Sequence, residues 1–326
     1  MTTDQVFPTI LSLPDPKALA EYITTNYSID TDFICQSFHP NNIYLVTGKN
    51  DRYIFKVYRN DVHWLTEKSQ YQFELDWLDF LHQKKLPVSH PIPRRDGLFL
   101  GELNAPEGIR YCVLFSFAEG SKTLDEDKAE IFGKSIAEIH VGSNDFDFNP
   151  KYRRHYTDLD WLLTESVDRL DDFLDSSRRY IYQHVKNLAL ELRQKITGYD
   201  FKEDDYGIIG GDFHGDNHAF TEDNRLTHFD FELCSYGWRV FDLAVFRHYR
   251  GKSNRLWNRF LKGYQSICPL RAYELDSIPT FVMIRQIWVM GSVTTYVEAE
   301  SWLLRGQWDY WFNELKANED GTYITE

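Results

Sequence analysis

Residues 210–232 read GGDFHGDNHAFTEDNRLTHFDFE, a run that crowds carboxylates, amides and imidazoles between two apolar stretches. Polar groups this dense between strand-forming segments mark a site more often than a solvated loop. Asp212 and His214, two positions apart, are one pair that could grip a transition metal. A two-metal hydrolytic centre needs further His and Asp clusters downstream, and after residue 218 only scattered His228 and His248 follow. Upstream, two more charges sit in apolar company. Lys56 lies in the alternating run YIFKVYR, and Glu74 shares a helical stripe with Tyr71, Trp77, Leu78 and Leu81. A carboxylate on an apolar face is costly unless paired, and Lys56 is the expected partner.

The elements that must position these groups follow from periodicity and turn residues. Asp15-Pro16 opens a short capped helix. Strands are predicted over 32–38, 43–47 and 53–59, with turns at 39–42 and 49–52. In the third strand Tyr53, Phe55 and Val57 face one way, and Ile54, Lys56 and Tyr58 the other. Residues 65–83 have helical spacing and end before Pro87, Pro91 and Pro93. Two more strands are predicted over 98–102 and 110–117. Beyond Gly120 the pattern becomes helical, over 125–140, 158–175 and 178–196. The strand–loop–strand region 206–231 interrupts it, and helices then run to about residue 315. The fold class is therefore α+β. A small sheet-rich lobe, 1–117, precedes a larger helical lobe, 118–326.

Bulk properties narrow the partners. The chain has 326 residues, 42% apolar and 26% charged, with a net charge of −14. That balance argues against a general nucleic-acid or anionic-membrane binder. Cys35, Cys112, Cys234 and Cys268 are far apart and form no C-x-x-C pair, so neither zinc nor a disulfide framework is expected. No apolar run approaches the ~18 residues of a membrane helix, and the N-terminus lacks a signal-peptide pattern. A cytoplasmic protein is expected.

The 210–232 segment resembles the catalytic motif of the aminoglycoside phosphotransferase and choline kinase family, H-G-D-x-H-x-x-N followed by an apolar-D-apolar triplet. The resemblance implies a protein-kinase-like two-lobed fold and transfer of phosphate from ATP, with Mg2+, to a hydroxyl. It places Asp212 as the catalytic aspartate, and Asn217 and Asp230 as metal ligands. The literal HGD at 214–216 is the wrong register, because five residues beyond Asp216 stands Thr221 rather than an amide. The roles suit phosphoryl transfer, in which charge spreads over the moving group and few protein ligands suffice for Mg2+. Asp212 would orient the hydroxyl and take its proton. The family's first histidine is Gly210 here, a position expected to be architectural.

The same resemblance puts Lys56 on the nucleotide phosphates, paired with Glu74. The phosphate-covering turn falls at 37–42, where Asn41 and Asn42 stand in for glycine. Ser116, Phe117 and Ala118 become the hinge facing adenine. Glu232 is either a second acid near the metal or an acceptor-binding carboxylate, and His214 is a further acceptor candidate. Asp242, and with it Arg239, is expected to stabilise the catalytic loop. Trp288, Thr295 and Trp302 are seven apart. If that face lines the cleft, Trp288 and Trp302 would suit a cationic amine. A small amine-bearing acceptor of choline, homoserine or aminoglycoside type is expected. A Ser/Thr protein kinase or a non-catalytic nucleotide binder of the same fold are the alternatives. Against the protein kinase, no A-P-E motif follows Asp230 before Phe241-Asp242.

Overall fold

The computed structural model describes residues 12–29, 33–38, 42–49, 51–147, 151, 154–249, 253–296, 299, 301 and 306–321. Helix α1, Pro16–Asn26, begins where expected, with the Asp15 carboxylate accepting from the Lys17 amide. Strands β1 (Phe33–Phe38), β2 (Asn42–Thr47) and β3 (Arg52–Val57) form an antiparallel meander. Helix α2, Lys68–Gln83, follows, and then the hairpin of β4 (Gly101–Ala105) and β5 (Gly108–Ser116). The five strands make one antiparallel sheet in the order β1-β2-β3-β5-β4.

Strand period divides this sheet into two faces. Tyr44, Val46, Phe55, Val57, Cys112 and Leu114 pack against Leu19, Ile23 and Tyr27 of the α1 region. On the other face Ile43, Ile54, Lys56 and Phe115 look into the central cavity. One expectation shifts here. Residues 98–102 were read as a strand, but the strand starts at Gly101. Leu98 closes the Asp96-Gly97 turn, where its amide donates to Asp96 Oδ1, and it is exposed. Apolar content misled the reading, whereas the β4–β5 register is set by the turn joining Ala105 to Gly108.

The second half is mostly helical. It contains α3 (Glu126–Gly142), α4 (Glu165–Phe173), α5 (Arg179–Thr197), α6 (Arg239–Tyr249), α7 (Asn254–Gln265), α8 (Ala272–Ser292) and α9 (Gln307–Glu319). Asp125 caps α3 by accepting from the Lys128 amide. Short strands β6 (Tyr156–Thr157), β7 (Tyr206–Ile209) and β10 (Ser235–Trp238) form a small sheet. Strands β8 (His218–Phe220) and β9 (Leu226–His228) form a hairpin. Helix α8 is apolar nearly all round and lies buried, as such a helix must. This is the protein-kinase-like two-lobed α+β fold, with a second helix, α1, added to the sheet lobe. The larger core runs without a break from α2 (Trp77, Leu78, Leu81) into the helical half (Ile209, Phe231, Ile287). No described helix is long and apolar enough to cross a membrane.

Candidate active site

The loop after β7 is held from behind. The amides of Gly210 and Gly211 donate to Asp242 Oδ2 and Oδ1 at 2.9 and 2.8 Å. His140 Nε2 bonds Asp242 Oδ2 at 2.9 Å, and His140 Nδ1 lies 2.9 Å from the Tyr264 hydroxyl. Burial lowers the pKa of His140 and keeps it neutral, so Nε2 donates and Nδ1 accepts. Gly211 has φ +74°, and a Cβ there would stand 2.4 Å from the Leu233 carbonyl oxygen. At Gly210 a Cβ would meet the Phe213 ring at 2.4 Å, so Phe213 fills the space that a histidine would need. The expected role of Asp242 is what the structure shows. Arg239 differs, since it bonds Asn144 rather than the loop.

This frame presents Asp212. Its Oδ2 accepts from Asn217 Nδ2 at 3.0 Å, and Asn217 also donates to the Asp212 carbonyl at 3.1 Å. That orientation keeps nitrogen against the carboxylate, leaving Asn217 Oδ1 for a cation. His214 Nε2 lies 3.4 Å from Asp212 Oδ2. His214 Nδ1 accepts from the Asp216 amide at 3.1 Å, so Nε2 carries the proton, and the ring stacks on Tyr249. Arg285 Nη2, from α8, pairs with Asp212 Oδ1. Burial alone would raise the Asp212 pKa, but His214 and Arg285 pull it down to about 2. His214 thus lies against the Asp212 carboxylate.

Asp230 is reached through β9. Phe231 beside it is buried against Trp77 and Phe213, with ring centroids 5.5 and 5.6 Å away. Anchoring Phe231 turns Asp230 toward the cavity in a left-handed conformation, φ +65°. A non-glycine residue held there costs on the order of 1–3 kcal/mol and persists where the surroundings enforce it, often at functional sites. The Asp230 side chain is 32% exposed.

Lys56 has partners other than the expected one. Its Nζ lies 2.6 Å from Asp230 Oδ1 and 2.8 Å from Glu232 Oε2. Burial alone would lower its pKa, but Asp230, Glu232 and Glu74 hold it well above the usual lysine value. Glu74 Oε1 instead accepts from the Tyr58 hydroxyl at 3.3 Å, and Oε2 is buried with no hydrogen-bond partner among the described residues. Burial pushes the Glu74 carboxyl up to about 7. The physical reason is reach: the acids after β9 close on Lys56 from the other lobe, ahead of the helix acid. Glu232 is therefore a lysine partner, as Asp230 is. Arg154 ties the segment in place, donating to the carbonyls of Glu232, Cys234 and Gln70.

A cavity of about 680 Å3 between the lobes is lined by Lys56, Glu74, Asp212, His214, Asn217, Asp230, Glu232 and Trp288. Ser116, Phe117 and Ala118 line it too. The Ser116 amide donates to the His90 carbonyl at 2.9 Å, and its carbonyl accepts from Ser89 Oγ at 2.7 Å. Of the three expected hinge residues, Ser116 thus has both backbone groups bonded within the protein. Asn42 points the other way, donating to the Ser12 carbonyl at 3.0 Å, because its neighbour Ile43 takes the cavity side of β2. Asn41 and Trp302 lie outside the described residues. The expected Trp288–Thr295–Trp302 face does not form on one helix, since α8 ends at Ser292 and a tighter turn follows. Trp288 itself is buried in the cavity wall, beside Trp64 and Trp161.

Sequence reasoning missed Arg285, Arg154, Trp64 and Trp161. Arg285 carried one signal: a lone cation in the otherwise apolar stretch FVMIRQIWVM.

Two relatives match most of the chain. An uncharacterized protein of Synechocystis sp. is 32% identical over 290 residues, covering 86% of this chain and 79% of its own. The homoserine kinase of Agrobacterium fabrum is 26% identical over 245 residues, covering 73% and 72%. Among solved structures, a microcompartment-associated aminopropanol kinase has a TM-score of 0.76 at 21% identity, over 95% of this chain and 99% of that one. An amicoumacin kinase in complex with AMP-PNP has a TM-score of 0.74 at 20% identity, over 96% and 95%. Those two establish the fold. Residues 36–275 match the phosphotransferase enzyme family (APH), and across that span lie Lys56, Asp212, Asn217 and Asp230. The chain belongs to that family and is a kinase.

Proposed function

We propose that the protein transfers the γ-phosphate of ATP to a hydroxyl of a small, amine-bearing acceptor. One observation carries this reading: Asp212, Asn217, Asp230 and Lys56 converge on a single inter-lobe cavity, joined in pairs by hydrogen bonds. The Phe117 and Ala118 backbone would hold adenine, and Lys56 the phosphates. The lobes divide near residue 117. The Asp212 carboxylate would accept the proton of the acceptor hydroxyl as that oxygen bonds to the γ-phosphorus. The bond from phosphorus to the bridging oxygen breaks, and ADP leaves with its electron pair.

Asn217 Oδ1 and the Asp230 carboxylate fit Mg2+. Both are hard oxygens, Asn217 is fixed in the required orientation, and Asp230 is held toward the cavity at a conformational cost. Bound there, Mg2+ would neutralise charge on the phosphates.

A small acceptor is favoured over a protein because the chain after Asp230 passes directly through β10 into α6. No long segment is left there to dock a polypeptide. The homoserine and aminopropanol kinases are named for amino alcohols, which fits an amine-bearing hydroxyl compound. The dispersed thiols suit a cytoplasmic setting. The test is ATP turnover over a panel of amino alcohols and hydroxy amino acids, with wild type and Asp212→Ala. Loss of the base should lower kcat by about 10²–10⁴-fold while AMP-PNP still binds. Wild-type turnover in Asp212→Ala would overturn the assignment.

A further inference from the structure

We infer that Arg285 is an acceptor-binding residue, and that the acceptor carries a carboxylate beside its hydroxyl. This inference rests on the reading of the cavity as a phosphotransfer site. Arg285 sits on α8 with its side chain 4% exposed, yet it lines the cavity. One edge of its guanidinium, Nη2, is taken by Asp212. Its Nε is buried without a hydrogen-bond partner among the described residues. A buried guanidinium N–H left unpaired costs on the order of 1–3 kcal/mol, so the vacancy calls for a ligand. Trp288 covers the guanidinium face, 4.4 Å from its centroid, and keeps the group from swinging out.

A guanidinium presents donors in a fixed planar fork that matches a carboxylate. With Asp212 on Nη2 and an acceptor carboxylate on the neighbouring Nε, a single rigid group sets the distance between them. The acceptor hydroxyl, a short carbon chain away from its own carboxylate, is then delivered to Asp212. A monovalent carboxylate suits the site better than a second phosphate. Asp212, Asp216, Asp230 and Glu232 already line the cavity, so a single added negative charge meets less repulsion there than a phosphate dianion would.

The same arrangement sorts hydroxy acids from plain amino alcohols. A site with a buried donor waiting for an anion rejects the analogue that lacks it, because the donor stays unpaired. The acceptor class is therefore a small hydroxy amino acid, with the carboxylate on Arg285 and the hydroxyl at Asp212.

The experiment uses matched pairs on the full chain: L-homoserine against 3-aminopropan-1-ol, and L-threonine against 1-aminopropan-2-ol. Calorimetric binding in the presence of Mg2+ and AMP-PNP is read beside turnover with ATP. Wild type should bind at least one acid about tenfold or more tightly than its decarboxylated partner. In Arg285→Gln that ratio should fall to near one, and Arg285→Lys should keep part of it. Melting temperatures of both variants confirm folding. If wild type binds none of the acids, or binds the amino alcohols as tightly, the inference fails. It also fails if Arg285→Gln weakens both members of a pair equally. Acid-selective binding that depends on Arg285, without any turnover, would sink the proposed reaction and leave the binding role standing.

Discussion

The cavity holds two charge clusters of opposite excess. At the sheet side one ammonium, Lys56, faces Asp230 and Glu232, with Glu74 nearby. At the helical side one carboxylate, Asp212, faces Arg285 and His214. The first cluster has surplus acid, and the second has surplus donors. Each is thus incomplete in the sense that its proposed ligand would correct. A magnesium-bound polyphosphate brings cation to the acid-rich end, and an acceptor carboxylate brings anion to the donor-rich end. The difference also explains the Asp212 pKa of about 2. A base this acidic is held ionised at every working pH, so its strength must come from position. In the proposed reaction it would take the proton only as the oxygen commits to phosphorus.

The comparison breaks most visibly if Lys56 is removed. Lys56→Met leaves Glu232 and Asp230 without the cation that they share. Removing one partner of a buried pair costs about 3–5 kcal/mol. Because Asp230 is 32% exposed, the low end, about 3 kcal/mol, is expected in urea unfolding at neutral pH. A loss below about 1 kcal/mol would show that the acids are not held by this lysine. The equivalent change at the other end, Arg285→Gln, leaves Asp212 with His214 and Asn217 and should unfold less readily than Lys56→Met.

Asp230→Asn tests the surplus itself. Asparagine tolerates the left-handed backbone at this position, so the segment keeps its shape. The charge that would hold Mg2+ is lost. Supporting residues one step removed from a metal typically change affinity 10–100-fold, so a direct ligand should weaken Mg2+-dependent AMP-PNP binding by about 100-fold or more. Titrating the nucleotide with and without Mg2+ checks this, and an unchanged metal dependence would contradict the assignment.

Much of this was legible in the sequence, for reasons that are local. The segment carrying Asp212, Asn217 and Asp230 stands out in the sequence because all three hang on one stretch of loop and hairpin, and the family resemblance supplies their expected roles. The α2 face carrying Glu74 was readable because helical period is local too. Its partner was not. Lys56 meets Asp230 across 174 positions of sequence, and no periodicity reports which of several acids arrives first. Arg285 lies 73 positions from Asp212, with which it pairs, and its only mark was polarity in an apolar helix. The aromatic spacing Trp288–Thr295–Trp302 failed for the opposite reason. It assumed an unbroken helix, and the chain tightens after Ser292. The expected hinge residues 116–118 line the cavity, but only three-dimensional contacts show that Ser116 has given both backbone groups to Ser89 and His90.

The smallest expected effect sharpens the acid-rich end. Glu74 is buried at 1% exposure, and burial raises its carboxyl from the usual range to about 7. The folded state therefore binds this proton more tightly than the unfolded chain does. Its contribution to stability is complete below the unfolded pKa, near 4.5, and is lost as pH rises through 7. Glu74→Gln replaces a titrating group by one that is always neutral and can still accept from Tyr58. From pH 5 to pH 8.5 its stability relative to wild type should rise by roughly 2 kcal/mol, less than the ~3 kcal/mol of the full shift because part is already lost by pH 5. If wild type and Glu74→Gln keep a constant difference from pH 5 to 8.5, Glu74 is ionised throughout. Lys56 would then be shared among three carboxylates, and the acid surplus would be larger than the contacts of Asp230 and Glu232 imply.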